Sequence, residues 1–213
     1  MDPIQEVPPQ RKYFTTADWV TRLRELPPEG AVLKGSSLRL WAGLDEKAGR
    51  QACWRLAKSG ILTHLGDGWY THAFAQPAIE EIGHLLVIPS YASLETVLAW
   101  RGVTTERAAI HTCVTTQPRQ VRTTPLGGIH YHQLARPLFF GFERRRGPSG
   151  ISWFEAHPEK ALLDLLYLGG RGRRGAVWFD LDFTRLDPIR LDQYAERFPA
   201  ATRRRLDDLR KRP

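Results

Sequence analysis

The stretch WFEAHPEKALLDLLYLGG, residues 153–170, sets Glu159, Lys160 and Asp164 within two turns of one leucine-rich segment. Two carboxylates and a lysine are the residue types of metal-dependent phosphodiester cleavage, where carboxylates hold the cation and a lysine helps activate water. The spacing argues against that chemistry. Glu159 and Lys160 are adjacent, so on a helix they point about 100° apart, and no Asp-bearing strand precedes them. Each residue also has a structural reason to be there. Pro158 suits the first helical position, where its missing N–H costs nothing. Glu159 then meets the positive end of the helix dipole. Lys160 and Asp164 have the i, i+4 spacing of an exposed ion pair, which contributes about 0.3 kcal/mol. The expectation is a packed helix with a solvated charged edge and no catalytic residue.

Other reactive side chains give less. His111, His130 and His132 are candidate ligands, and His130 and His132 share a strand face at i, i+2. No third ligand accompanies them, so they read as sheet histidines and no metal is expected. Ser90 and Ser93 lack the partners of a hydrolytic triad. LGGRGRRG (168–175) is glycine-rich but lacks phosphate-loop spacing, and reads as a basic loop after a helix end. Cys53 and Cys113 make neither a disulfide framework nor a zinc site. No cofactor is expected.

These residues sit in a chain of 213 residues, 42% hydrophobic, with net charge +8 and pI about 9.9. The excess is mostly arginine, whose forked guanidinium suits phosphate. Nucleic acid is the expected partner, with an acidic protein second. No run approaches the roughly 18 apolar residues of a membrane helix, and the first residues, MDPIQEVPPQRKY, lack the apolar core of a signal peptide. The expectation is a cytoplasmic protein without membrane contact.

The hydrophobic pattern divides the chain. Residues 1–13 are polar and proline-rich, a flexible arm. Residues 14–72 read as three helices and a hairpin. Thr15 and Asp18 are spaced as a capping box, with Asp replacing the usual Glu. Pro27 and Pro28 end the first helix. VLKGSSLRLWAGL is a short second helix with Ser36 as candidate cap, and Asp45 can cap the third. In the third, Ala48, Ala52, Cys53 and Leu56 point inward, with Cys53 and Trp54 assigned to the core. Gly66-Asp67-Gly68 between two β-prone runs signals a hairpin. Three helices and a hairpin make a winged helix-turn-helix, whose third helix is sized for a major groove. The candidate DNA contacts are Lys47, Arg50, Gln51, Arg55 and Lys58 on that helix, with His64 and Trp69 on the wing.

Residues 73–84 read as a linker. Residues 85–213 read as a mixed α/β domain: a strand through Leu85, a helix after Ser90 or Ser93, a strand in AAIHTCVTT, a hairpin around 125–128, two strands around a basic turn, and the leucine-rich helix. The whole is α+β. The final AATRRRLDDLRKRP is a charged terminal helix, expected to be exposed and anchored only by Leu206 and Leu209. Between residues 101 and 146, eight arginines face only Glu106 and Glu143. Arg119, Arg122, Arg144, Arg145 and Arg146, with Arg171, Arg173 and Arg174 further on, form a candidate phosphate- or partner-binding surface. A solvated rim explains them equally.

The stretches GRQACWRLAKSGILTHLGDGWY, IPSYASLETVLAWRGV, CVTTQPRQVRTTPLGGIHYHQL, FFGF and AHPEKALLDLLYL occur in this order over roughly residues 14–170. In them the chain resembles the AbiEi antitoxin family of bacterial abortive-infection toxin–antitoxin systems. The resemblance implies a winged helix that binds operator DNA, as monomer or as dimer on inverted repeats, and autorepresses the operon. It also implies a C-terminal domain that counteracts a nucleotidyltransferase-like toxin, and a structural or partner role for Glu159, Lys160 and Asp164. The alternative is a stand-alone winged-helix regulator whose second domain dimerises or binds a ligand.

Overall fold

The computed structural model describes residues 14–106, 108–169 and 181–211. The chain divides between Gln76 and Pro77 into two units. The expected arm over residues 1–13 lies outside the described residues, as do Arg171, Arg173 and Arg174. The fold is α+β, with two sheets.

In the first unit, α1 (Thr16–Arg24) opens with the expected capping box. The Asp18 N–H donates to Thr15 Oγ1 at 3.2 Å, and the Thr15 N–H donates to Asp18 Oδ2 at 2.8 Å. After a 3-10 turn, β1 (Val32–Lys34) takes residues that the sequence reading gives to the second helix. Val32 and Leu33 are β-formers, and they pair with Thr71 and Tyr70 in β3. Consequently α2 (Gly35–Trp41) starts later and has no side-chain cap, so the Ser36 cap does not form. The third helix, α3 (Glu46–Lys58), is capped by Asp45, whose Oδ1 accepts the Ala48 N–H at 2.8 Å. Strands β2 (Leu62–Gly66) and β3 (Trp69–His72) form the expected hairpin. Its turn needs positive φ at Gly66, Asp67 and Gly68, which glycine and, less readily, Asp tolerate. The sheet order is β1-β3-β2. Trp19, Leu23, Leu38, Ala52, Cys53, Leu56 and Leu62 make the core. Cys53 is in that core as expected, but Trp54 is 63% exposed, a correction to its core assignment.

The second unit begins with α4 (Ile79–Leu86), where the sequence reading has a linker and the start of a strand. A short apolar run fits either helix or strand; here a buried carboxylate favours the helix. Glu81 Oε2 accepts the Ala78 N–H at 2.8 Å, and its Oε1 accepts the Ser149 N–H at 3.0 Å. Then follow β4 (Ser90–Ala92), α5 (Leu94–Trp100), β5 (His111–Thr115), β6 (Gln120–Thr124), β7 (Gly127–Gln133), β8 (Phe142–Arg146) and β9 (Ser152–Ala156). Their sheet has the order β6-β7-β5-β4-β9-β8. The pairs β6/β7, β4/β5 and β8/β9 are antiparallel, while β5/β7 and β4/β9 are parallel. The leucine-rich helix α6 (Pro158–Gly169) lies in the main core. Two further helices, α7 (Pro188–Ala195) and α8 (Ala200–Arg210), pack on it. The terminal helix is therefore amphipathic and docked: Thr202, Leu206 and Leu209 are buried. Arg205 also donates to the Leu166 carbonyl at 3.0 Å, near the end of α6, where carbonyls lack helical partners. Among the described residues, no helix is long and apolar enough to cross a membrane.

Glu81 holds the Ala78 N–H at its own helix start and the distant Ser149 N–H, and this makes Gly147 sensitive. A Cβ at Gly147 would lie 2.2 Å from Glu81 Oε1, whereas one at Gly128 meets only Ile110 Cγ2 at 4.0 Å. Gly147→Ala is expected to lower unfolding stability by about 1–3 kcal/mol in urea titration, because it forces a buried carboxylate off its donors. Gly128→Ala should change it far less. Equal midpoints for the two variants would show that Glu81 does not hold this turn.

Candidate functional site

Two places concentrate chemistry. The first is in the second unit and is built on α6. Lys160 and Asp164 are 0% exposed, so the pair expected at a solvated helix edge is instead fully buried. The leucines around it explain this: Leu162, Leu163, Leu165 and Leu166 are also buried, so α6 is enclosed on most of its circumference. The Lys160 ammonium donates to Asp164 Oδ1 and, at 2.8 Å, to the Tyr91 hydroxyl. The Tyr91 and Ser93 hydroxyls both donate to Asp164 Oδ2 at 2.9 Å. The rings of Tyr91, Phe140 and Phe198 surround the ammonium at 5.1–5.3 Å, within cation–π range.

Ser93 precedes α5 but makes no side-chain cap; its hydroxyl serves Asp164 instead. Leu94, next in line, takes φ 62, a conformation costing an L-residue about 1 kcal/mol or more. Its complete burial in the core offsets that. Gly141 takes φ 71, which a side chain would strain, and it lies close to Lys160: a Cβ would be 3.1 Å from Lys160 Cγ. Neighbouring Glu159 is buried and joins α6 to the C-terminal helices. Its Oε1 accepts the Asp187 N–H at 2.8 Å, and Arg190 stands 3.6 Å from its Oε2.

Burial pushes the Asp164 carboxyl up, against the pull of Lys160 and the two hydroxyls. Burial likewise pushes the Lys160 ammonium down, against Asp164. Tyr91 is raised well above the ordinary phenol range by burial and by Asp164, the opposite of an activated phenolate. Lys160, Asp164, Ser93 and Tyr91 are all at most 1% exposed, so none presents a reacting atom to solvent. The sequence reading pairs Lys160 with Asp164 but misses Tyr91 and Ser93. Their i, i+2 spacing, which places both on one side of an extended segment, was the available signal.

The second place is the outer face of α3. Lys47, Arg50, Gln51, Arg55 and Lys58 are all exposed, opposite the buried Gly49, Ala52, Cys53 and Leu56. Arg50 bonds Glu46 at 3.0 Å across one turn, an exposed pair of small energetic weight. On the hairpin, His64 is exposed and its ring lies tilted against that of Tyr70, with centroids 4.9 Å apart. Trp69 is half-buried under Lys34, whose ammonium lies 4.6 Å from the ring and donates to the Asp67 carbonyl at 3.3 Å. All seven expected DNA contacts therefore fall on α3 or the hairpin. Lys34, on β1, stands beside Trp69 and has no role in the sequence reading, while Trp54, which that reading places in the core, is exposed on α3.

The arginines of the second unit do not gather. Arg119 and Arg122 flank or lie in β6, and Arg144, Arg145 and Arg146 lie in β8, at opposite ends of the sheet. Five strand spacings separate them, roughly 24 Å. Arg145 is also engaged, 2.5 Å from Glu143 and 3.6 Å from the buried Glu155. Glu155 in turn accepts from Arg101 Nε at 2.7 Å. The described arginines of the candidate basic surface thus fall on two separate sheet edges. His111, His130 and His132 lie on β5 and β7, and among the described residues no three His, Cys, Asp or Glu side chains group as a metal site. No family model matches the chain, and no curated protein matches it.

The buried pair predicts a thermodynamic pattern. Lys160→Met should cost about 3–5 kcal/mol in urea unfolding, because Asp164 loses its counter-charge in the interior. Asp164→Leu in that background should recover part of the loss, since an apolar pair needs no desolvation. If the two substitutions simply add, the pair is not coupled. A second pattern concerns His111, whose ring burial holds its pKa down to about 4 from 6.5. The unfolded chain takes up that proton first, so stability should fall as pH drops from about 6.5 to 4, by about 3 kcal/mol at most. His72 and His84, also lowered by burial, act in the same direction. His111→Gln should flatten the pH profile; an unchanged profile would exclude His111 as the main source.

Proposed function

We propose that the first unit is a winged helix-turn-helix and that the protein is a DNA-binding transcriptional regulator. More particularly, we read it as the antitoxin of an AbiE-type toxin–antitoxin system, acting in the cytoplasm. It autorepresses its operon through α3 and counteracts a nucleotidyltransferase-like toxin through the second unit. The observation that carries the DNA reading is the outer stripe of α3. Four cations and Gln51 stand on the helix face opposite the core, although residues 1–76 hold only ten basic and eight acidic residues. A β-hairpin follows that helix directly, in the order a wing requires. Arginine and lysine suit guanine or phosphate, and Gln51 suits adenine.

The antitoxin reading rests on the resemblance in sequence. The burial of Lys160 and Asp164 supports taking the EKALLD segment as a fold determinant rather than a nuclease centre. The second unit then acts by binding and is not an enzyme, and it needs neither metal nor cofactor.

The test is a gel shift of the full chain on the duplex immediately upstream of its own reading frame. Arg50→Ala with Gln51→Ala should weaken binding by about 1–3 kcal/mol per base contact, with the melting temperature unchanged. Log affinity should fall against log salt with a slope near −0.9 per phosphate contacted. In parallel, the adjacent reading frames are inspected for a nucleotidyltransferase-like toxin, and growth rescue is measured beside it where one is found. Loss of rescue on truncation at Gln76 is the expected result. Operator binding without any toxin to neutralise would leave a stand-alone regulator, and absence of salt-dependent binding would remove the DNA reading itself.

A further inference from the structure

Trp54 occupies the middle of the α3 stripe. At 100° per residue, taking Lys47 as origin, Trp54 lies about 20° to one side and Lys58 about 20° to the other. Gln51 falls at about 40°, Arg50 at about 60° and Arg55 at about 80° from that origin. Gly49, Ala52, Cys53 and Leu56 occupy the opposite, buried side. The indole is therefore turned straight away from the core, and it is 63% exposed. Lys58 reaches back one turn to within 5.2 Å of the ring, so a large apolar surface stands in water among cations.

An acidic or apolar protein surface fits this face poorly. An apolar partner would strand Lys47, Arg50, Arg55 and Lys58 without counter-charges, and an acidic one has no need of a central indole. Duplex DNA satisfies both features. Phosphates flank the major groove, and its floor carries one apolar group, the C5-methyl of thymine. Resting on the reading of α3 as the groove-entering helix, we infer that Trp54 is a specificity-determining residue that packs its indole on a thymine methyl. The helix then reads a thymine beside the bases contacted by Arg50 and Gln51.

The experiment uses the full chain and a pool of duplexes with a randomised centre, from which bound duplexes are enriched. In the enriched duplex each thymine is then replaced singly by deoxyuridine, which deletes only the methyl group. At one or two positions the wild type should lose about fourfold in affinity, the worth of one methyl moved out of water. Trp54→Ala should bind the thymine duplex about tenfold more weakly and should not distinguish thymine from uracil there. Because Trp54 lies outside the core, the variant should melt like the wild type. Arg55→Ala is the control: it should weaken binding while keeping the discrimination. A wild type indifferent to every replacement, or a Trp54→Ala variant that still discriminates, would overturn the inference while leaving DNA binding intact. Failure of the pool to enrich any duplex would overturn both, and would assign the stripe to a partner other than DNA.

Discussion

The second unit is organised around a lysine and an aspartate with no access to water. Moving both charges into the interior costs several kcal/mol each, by rough estimate, and their attraction offsets this only with good geometry and further hydrogen bonds. Those conditions are met by residues far apart in the chain. Tyr91 comes from β4, Ser93 from the turn into α5, and Lys160 and Asp164 from α6. Phe140 and Phe198 come from segments on either side of α6 in sequence. A misplaced strand or helix would leave a charge or hydroxyl unpaired in the core. The pair is therefore satisfied only when these separate segments are all in place.

The surrounding features follow from that constraint. Gly141 takes a left-handed backbone conformation and lies close against the Lys160 stem. Leu94 accepts a strained backbone where the chain turns after Ser93. Glu159, one residue from Lys160, reaches the N–H of Asp187 and so ties the C-terminal helices to α6. His157 does the same through the Tyr194 hydroxyl, 2.8 Å from its Nδ1. The α6 helix start is thus a junction, and its charged residues are absorbed in holding segments together.

The arginines divide by partner. Arg101 and Arg145 meet Glu155, Arg190 meets Glu159, and Arg210 meets Asp192. Part of the formal net charge of +8 is therefore carried by side chains that already have acidic neighbours. On α3, Arg50 likewise meets Glu46 across one turn.

Local physics was legible in the sequence. Thr15 and Asp18, Asp45, Gly66-Asp67-Gly68 and Pro158 act within a few residues of themselves, and each sits where its spacing predicts. Helical periodicity likewise located the inner face of α3, including Cys53, and the i, i+4 spacing located the Lys160–Asp164 pair. It did not locate α4 or β1, because a short apolar run suits helix or strand until a partner is known; Glu81 and β3 supplied those partners. Trp54 was misplaced because hydrophobicity predicts burial only where packing offers a neighbour. The basic segments looked like one surface because they are close in sequence, and strand order sets them on opposite edges. Spacing alone thus determined which residues could pair, cap or turn. Only the tertiary structure decided which side chains are removed from water, because burial depends on what distant segments bring to the same place.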